Sequence, residues 1–148
     1  MQELNFPKFS FRFKNSENKL VIFDEIRKKF VVLQPEEWVR QHCIKYLINL
    51  KNYPKSLLNV EKELILNNLK KRYDIVVFKP DGNLQLIVEC KAPNVKITQE
   101  VFDQIARYNM ALNASYLMVT NGINHYYCQI DIENQRYIFL EDIPDYIS

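Results

Sequence analysis

The sequence predicts an α/β fold in which a central β-sheet is flanked by helices and preceded by an N-terminal β-hairpin. Three observations predict it: apolar runs bounded by turn residues, two segments whose apolar residues recur at helical spacing, and the order of these segments along the chain. The length of 148 residues and the hydrophobic content of 47% indicate one domain, 1–148. Within it we expect a lead-in and hairpin over 1–33 and the core over 34–140.

The first third of the chain supplies the hairpin and the first helix. Residues 1–19 mix polar and aromatic residues and suggest an extended lead-in. Two apolar runs, Leu20–Phe23 and Phe30–Leu33, surround a charged centre and predict a β-hairpin. Pro35 suits the first position of a helix, and the apolar residues that follow recur at helical spacing, which predicts a helix over 35–51.

The remainder of the chain predicts a sheet interrupted by one helix. Thr98 is a helix cap before an amphipathic segment that ends near residue 113. Turn residues Glu133-Asn134 separate the last two strands. In chain order we expect a strand over 56–66, a polar basic turn over 67–72, strands over 73–79 and 84–91, the helix, a strand and loop over 115–122, and two short strands within 124–140.

Composition excludes several classes of protein. With two glycines and six prolines the chain is not a low-complexity sequence. No apolar run approaches the roughly 20 residues that cross a bilayer, and the first residues lack the apolar region of a secretory signal. Three widely spaced cysteines form neither a disulfide framework nor a CxxC metal site, so we expect buried, reduced thiols in a cytoplasmic protein without a membrane partner.

Charge is unevenly distributed along the chain. Residues 1–110 hold 19 Lys and Arg against 13 Asp and Glu, whereas residues 111–148 hold 1 against 5. A mildly basic body with an acidic tail is compatible with a nucleic-acid partner but does not require one. The formal net charge of +2 is smaller than that of most proteins that bind DNA nonspecifically.

A hairpin turn at Asp81-Gly82 would place two carboxylates opposite one another. This dipeptide is a strong signal for a two-residue turn, and with these residues at its centre the register pairs Asp74 with Glu89. Directly opposed residues have Cβ atoms about 4.5–5.5 Å apart, and like charges there are destabilising. Lys91 lies two residues beyond Glu89 and therefore projects from the same face. We expect a neutralising partner, for which Mg²⁺ or Mn²⁺ is one candidate.

Two carboxylates, a hard metal ion and a lysine can hydrolyse a phosphodiester. The metal ion would polarise a phosphoryl oxygen and acidify a bound water. The lysine would position that water, help to deprotonate it, or stabilise the developing negative charge. A structural interpretation remains open: Glu89 and Lys91 could form the solvent-facing side of an edge strand, and Asp74 could cap the turn after Arg72.

The arrangement Asp74 … Glu89-Cys90-Lys91 resembles the PD-(D/E)xK nuclease superfamily, although Tyr73 stands where the superfamily name has proline. More specifically, the sequence resembles the N-terminal nuclease domain of the restriction (R) subunit of type I restriction enzymes, over about residues 34–140. This resemblance implies a restriction-endonuclease-like core with a mixed central sheet, a divalent metal and DNA cleavage. The stretches that carry it are PEEWVRQHCIKYLI, KKRYDIVVF, LIVECKAP and ITQEVFDQIARYNMALNASYLMVTNG.

The resemblance also assigns roles to individual residues. Asp74 and Glu89 match the metal-binding acids, the backbone carbonyl of Cys90 matches a further metal ligand, and Lys91 matches the catalytic lysine. The helical acid of such sites falls on Glu37 or Glu36, and we take Glu37 as the catalytic candidate. Gln104 and Tyr108, four residues apart, match the QxxxY element of related nucleases.

The basic run Lys70-Lys71-Arg72, immediately before Asp74, could hold the phosphate backbone of DNA. It could equally be a solvated turn. Cutting both strands would require two sites, so a homodimer is plausible, as is a place in a larger restriction or DNA-repair assembly. The alternative to a nuclease is a nuclease-fold module that binds DNA or a protein without catalysis, which the small charge excess favours.

Overall fold

A computed structural model describes residues 1–147, which form two β-sheets and two α-helices. The predicted fold class is confirmed: a mixed six-stranded sheet is flanked by helices and preceded by a small antiparallel sheet. A short 3₁₀-helix, Lys55–Leu57, follows the first α-helix. The elements are β1 (Phe13–Ser16), β2 (Lys19–Asp24), β3 (Lys29–Val32), α1 (Pro35–Leu50), β4 (Leu58–Leu66), β5 (Leu69–Phe78), β6 (Leu84–Cys90), α2 (Gln99–Met110), β7 (Tyr116–Thr120), β8 (His125–Asp131) and β9 (Arg136–Leu140).

The large sheet runs in chain order from β4 to β9, and its one parallel pair is β6–β7. A parallel pair needs a crossover connection, and α2 supplies it. Strand β6 is central and apolar on both faces, because neighbouring residues point to opposite sides of the sheet. Val88 packs in the cluster that contains Val39 of α1, while Ile87 packs in the cluster that contains Phe102 of α2. The sheet thus separates two cores, one under each helix.

Both helices begin and end close to where the sequence predicts. Pro35 occupies the start of α1, and Val39, Cys43 and Leu47 bury the apolar side of that helix completely. Thr98 caps α2, since its hydroxyl accepts a hydrogen bond from Val101 N at 3.2 Å. Neither helix found in residues 1–147 has the length and apolar character that crossing a membrane requires.

The predicted basic turn over 67–72 is wrong, because Lys70, Lys71 and Arg72 belong to β5. The turn is confined to Asn67 and Asn68, whose φ angles are 50° and 65°. Two consecutive residues with positive φ make a tight hairpin turn, and asparagine tolerates this conformation better than most residues. The basic residues therefore extend the strand that carries Asp74, and their side chains alternate between the two faces.

The predicted two-residue turn at Asp81-Gly82 is also wrong, although the register deduced from it is right next to the site. Lys79 N donates to Asn83 O at 2.7 Å, which encloses three loop residues rather than two. Gly82 has a φ of 90°, a conformation that suits glycine in such loops. A bulge after Val77 then shifts the register by one residue and compensates. Ile75 consequently pairs with Val88, as the two-residue turn would also have given.

The predicted N-terminal hairpin is confirmed as β2 and β3, but a third strand, β1, lies in the expected lead-in. Glu17 and Asn18, with φ angles of 50° and 64°, form the turn that reverses β1 into β2. Glu17-Asn18 is not one of the Asn-Gly or Asp-Gly pairs that signal such turns most strongly, so this turn is hard to predict from sequence.

Asp24, at the end of β2, fastens the small sheet to α1. It is 0% exposed, and its carboxylate accepts hydrogen bonds from the backbone N–H groups of Ile26 and Arg27, from Arg27 Nε and from Gln41 Nε2. Burial alone would raise the pKa of Asp24, but these hydrogen bonds outweigh burial and hold the pKa below its usual value. The carboxylate is therefore stable in its ionised form.

We predict that Asp24→Asn lowers the free energy of unfolding at neutral pH by about 2–4 kcal/mol, because a buried carboxylate with several donors is lost. Urea unfolding measures the change, with the exposed Glu133→Gln as the control. Since the folded-state pKa of Asp24 is depressed, its contribution is present above the unfolded pKa of about 4 and is lost as the pH falls through the folded value. The difference between wild type and variant should shrink in that acidic window, and a constant difference would contradict this account.

Candidate functional site

The candidate site lies where β5 and β6 approach α1. Asp74 belongs to β5, Glu89 to β6, and Lys91 directly follows β6. The apolar residues Leu86–Val88 hold β6 in the interior of the sheet, and this places Glu89 and Lys91 at the end of the strand. Lys91 N donates to Thr120 O at 2.8 Å, which holds the backbone of Lys91 against the end of β7.

The Asp74 carboxylate bridges a helix and a strand. Its Oδ1 accepts from Arg40 Nη2 at 2.7 Å, and its Oδ2 accepts from Cys90 N at 2.8 Å. The backbone pairing of β5 with β6 reaches Ile75 and Val88, one position short of Asp74 and Glu89. At that position the Asp74 side chain accepts the hydrogen bond from Cys90 N. The predicted register therefore holds up to the neighbouring pair, but the two acids have different partners.

Glu89 is buried beside a lysine that the sequence analysis assigned to DNA binding. The side chain of Glu89 is 9% exposed, and its Oε1 accepts a hydrogen bond from Lys71 Nζ at 3.0 Å. Burial raises the pKa of Glu89, and the nearby Asp74 charge adds to the rise, while Lys71 and Lys91 oppose it. Additional positive charge near Glu89 would therefore stabilise its ionised form.

Lys71 also lies beside two aromatic rings, Tyr73 of β5 and Tyr108 of α2. Its Nζ lies 4.8 Å from the ring centroid of Tyr73 and 4.5 Å from that of Tyr108, distances at which a cation is attracted to a ring. The structure therefore brings Tyr108 to the site by way of Lys71. Gln104 is exposed one helical turn earlier.

The other two residues of the basic run are more exposed than Lys71. Lys70 is exposed. Arg72 is 63% exposed, and its Nη1 is 3.6 Å from Glu61 Oε2. These two side chains are open to solvent at the β4–β5 edge of the sheet, so they are accessible to a ligand that approaches from that side.

Arg40 is the principal residue that sequence reasoning missed. Its side chain is 7% exposed, and it donates to Glu37 Oε1 at 2.6 Å, Glu61 Oε1 at 2.7 Å and Asp74 Oδ1 at 2.7 Å. One signal was available in the sequence: Arg40 precedes Cys43 by three residues and so interrupts the apolar stripe of α1. A charged residue in such a stripe needs buried partners of opposite charge.

The two acids in the first turn of α1 have different surroundings. Glu37 is 8% exposed, and its carboxylate accepts hydrogen bonds from Arg27, Arg40 and Gln41. Its position is therefore set by the scaffold.

Glu36 is half-exposed and close to the candidate site. Its side chain is 51% exposed, and Arg40 Nη2 is 4.0 Å from its Oε1. Partial burial and the neighbouring Asp74 raise the pKa of Glu36, whereas Arg40 and Lys91 act in the opposite direction. Of the two acids that the resemblance allows, Glu36 is thus the one near Asp74 and Lys91, while Glu37 is held by Arg27 and Arg40.

The donor set suits a hydrated magnesium ion rather than a closed metal cage. Within residues 1–147, no group of three or more His, Cys, Asp or Glu side chains is arranged to hold a metal ion. Magnesium commonly retains several waters and is held by one or two carboxylates together with substrate phosphates. Asp74 and Glu89, with the backbone carbonyl of Cys90, the last residue of β6, fit that limited demand. A metal ion would compete there with Arg40 and Lys71.

Comparison with known proteins gives one family. The family described as "Type I restriction enzyme R protein N terminus (HSDR_N)" matches residues 35–144. No curated protein matches the sequence at a significant level. Among solved structures, the chain is similar to the crystal structure of a "putative nuclease belonging to DUF820" from Anabaena variabilis, with 11% sequence identity, a TM-score of 0.48, and coverage of 93% of this chain and 80% of the other. That similarity is too distant to bear on activity.

We predict that Arg40→Met lowers the free energy of unfolding by about 3 kcal/mol, because Glu37 and Asp74 would be left buried without their shared cation. Urea unfolding in metal-free buffer measures it. Arg72→Met is the matched control, since Arg72 also approaches Glu61 but is mostly exposed, and its loss should cost below about 1 kcal/mol. Equal effects for the two variants would show that the buried network carries no special weight.

Proposed function

Because this chain belongs to the family of type I restriction enzyme R protein N termini, we propose that it is a metal-dependent nuclease that hydrolyses phosphodiester bonds of DNA. Family membership supports a nuclease-like function. The metal dependence and the PD-(D/E)xK chemistry are our proposal. One observation carries it: Asp74, within β5, accepts a hydrogen bond from Cys90 N, between Glu89 and Lys91 at the end of β6, and Glu36 of α1 lies near Asp74 and Lys91.

We assign the metal ligands to Asp74, Glu89 and the Cys90 carbonyl. Bound there, Mg²⁺ or Mn²⁺ would polarise a phosphoryl oxygen and lower the pKa of a bound water. The Cys90 N–H holds Asp74 in position through a hydrogen bond of 2.8 Å, and burial limits the mobility of Glu89. Fixed carboxylates of this kind need little reorganisation when charge develops in the transition state.

The lysines have separate proposed roles. Lys91, in the loop after β6, would orient the attacking water or stabilise the charge that develops on the phosphate. Lys71 keeps Glu89 neutralised without a metal and, once displaced, would be free to contact a phosphate oxygen. Lys70 and Arg72, which are exposed on the same strand, would contact the DNA backbone further from the cut.

Three further residues would support the reaction. Glu36 would accept a hydrogen bond from the attacking water. Glu37 is buried and already accepts three hydrogen bonds, so it would act through its contact with Arg40. Gln104 and Tyr108 lie on one face of α2, four residues apart, and Tyr108 contacts Lys71. We propose that this pair lines the path of the DNA.

A second candidate function is a nuclease-fold module that binds DNA or a protein without cleaving it. The ion pairs favour it, because Arg40 and Lys71 already neutralise Asp74 and Glu89 without a metal. The net charge of +2 also provides little nonspecific attraction for DNA. Metal binding separates the two candidates, since only the nuclease requires it.

The setting of the proposed activity follows from its chemistry. Cleaving both strands of a duplex requires two sites, so we propose a homodimer or a place within a larger restriction or DNA-repair assembly. We place the protein in the cytoplasm, where DNA and reduced thiols occur together. Cys43, Cys90 and Cys128 are buried free thiols, as such a compartment allows.

We predict that the protein cleaves plasmid or single-stranded DNA with Mn²⁺, and that Asp74→Asn and Lys91→Ala each reduce the rate at least about 100-fold. Asp145→Asn and Lys96→Ala are matched controls at exposed positions and should retain activity. Circular dichroism verifies folding of each variant. Cleavage that persists in Asp74→Asn would remove this acid from the mechanism.

We also predict that Mg²⁺ or Mn²⁺ raises the melting temperature, because a ligand at about 100 times its Kd stabilises the native state by about 2.7 kcal/mol. Glu89→Gln should abolish the rise. Since burial raises the pKa of Glu89, protons compete with the metal, and the rise should be smaller at about pH 5 than at about pH 8. An unchanged melting temperature at millimolar metal would favour the binding module.

A further inference from the structure

One face of the small N-terminal sheet combines aromatic rings with cations. Phe23 N donates to Arg12 O at 2.9 Å, and Phe23 pairs with Phe30, so Arg12, Phe23 and Phe30 form one row across the sheet. Lys14 pairs with Val21, two residues before Phe23, and therefore lies on the same face. We call Arg12, Lys14, Phe23 and Phe30 the aromatic–basic face. None of these residues takes part in the site described above.

The cations of this face lie over its rings. The guanidinium carbon of Arg12 is 4.6 Å from the centroid of Phe23 and 5.5 Å from that of Phe30. Lys14 Nζ is 4.2 Å from the centroid of Phe30, and the two rings are 5.3 Å apart. Arg12 and Lys14 are exposed, while both rings are half-buried. The face thus offers planar and cationic groups to solvent at the same place.

A cavity of about 390 Å³ adjoins Phe23 and extends the positive charge toward α1. Its single acid is Glu25, whose Oε2 is 2.9 Å from Lys55 Nζ and whose Oε1 is 3.5 Å from Lys45 Nζ. One carboxylate therefore faces three cations, which leaves the cavity positive. Its charged and aromatic lining residues are Phe11, Arg12, Phe23, Glu25, Lys45 and Lys55.

We propose that the aromatic–basic face binds single-stranded DNA. Unpaired bases stack on aromatic rings and on guanidinium planes, and phosphates are attracted to the lysines beside them. A duplex presents phosphates to such a surface but keeps the faces of its bases stacked inside. The combination of rings and cations therefore favours a single strand over a duplex, whereas cations alone would not.

The position of the face relates it to the candidate site. Phe23 is followed by Asp24, which is bound to Arg27, and Arg27 Nη2 donates to Glu37 at the start of α1. The sheet that carries the face is thus fastened to the same helix as the candidate site. This proposal goes beyond the nuclease activity, because binding of a strand requires neither metal nor cleavage.

The test is the affinity of the full chain for fluorescein-labelled oligo(dT) of about 15 nucleotides, measured by fluorescence anisotropy in EDTA. Replacing both cations, Arg12→Ala with Lys14→Ala, should weaken binding about tenfold. The matched control, Lys29→Ala with Lys62→Ala, removes the same charge at exposed positions outside the face and should change affinity less than about twofold. A duplex of equal length should lose less affinity than oligo(dT) in the first variant.

A second variant tests the rings. Phe30→Leu keeps an apolar side chain but removes the stacking surface, and it should weaken oligo(dT) binding about fivefold at a salt concentration that screens the phosphates. The proposal is overturned if the two double variants bind oligo(dT) equally, or if the duplex loses as much affinity as the single strand. Because EDTA prevents metal-dependent cleavage, a failure of the nuclease proposal would leave this result unaffected.

Discussion

The rest of the site depends on the buried guanidinium of Arg40. It donates to Glu37 in its own helix, to Glu61 in β4 and to Asp74 in β5, so that one cation holds a helix against two strands. Isolated charges are very unfavourable in a protein interior, and these carboxylates are stable there because they share Arg40. Burial alone would lower the pKa of Arg40, but Asp74 and Glu37 raise it above its usual value, which keeps Arg40 charged. Through Glu37 the network continues to Arg27 and Asp24 and reaches the small sheet.

This network explains how the candidate site can be both rigid and electrostatically frustrated. Asp74 is fixed by Arg40 and by the Cys90 N–H, while Glu89 and Glu36 have raised pKa values because they are partly or largely removed from water near other acids. A divalent ion would relieve the repulsion, in competition with Arg40 and Lys71 for the two carboxylates. In the nuclease that we propose, Arg40 therefore acts as a positioning residue, whereas Lys71 and Lys91 are the cations that can respond to metal and phosphate.

Local signals predicted much of the fold from the sequence. The apolar run of β6, the Pro35 start of α1 and the Thr98 cap of α2 are properties of short segments, and each lies where it was expected. The register beside Asp74 was right only because a three-residue loop and a bulge offset each other, and neither has a clear sequence signal. Arg40 was missed because two of its three partners, Glu61 and Asp74, are distant in sequence and meet it only after packing. Our proposal of Glu36 rather than Glu37 likewise depends on the hydrogen bonds that Arg27 and Arg40 donate to Glu37, which the sequence does not reveal.

The most direct test of the central role of Arg40 is a double-mutant cycle between Arg40→Met and Asp74→Asn, followed by urea unfolding in metal-free buffer. Because the two side chains are in direct contact at 2.7 Å and largely buried, we expect a coupling free energy of at least about 1.5 kcal/mol. That result would show that the candidate metal ligand is held by the scaffold through Arg40. Effects that add within about 0.5 kcal/mol would contradict the account, because Asp74 would then be positioned without this contact.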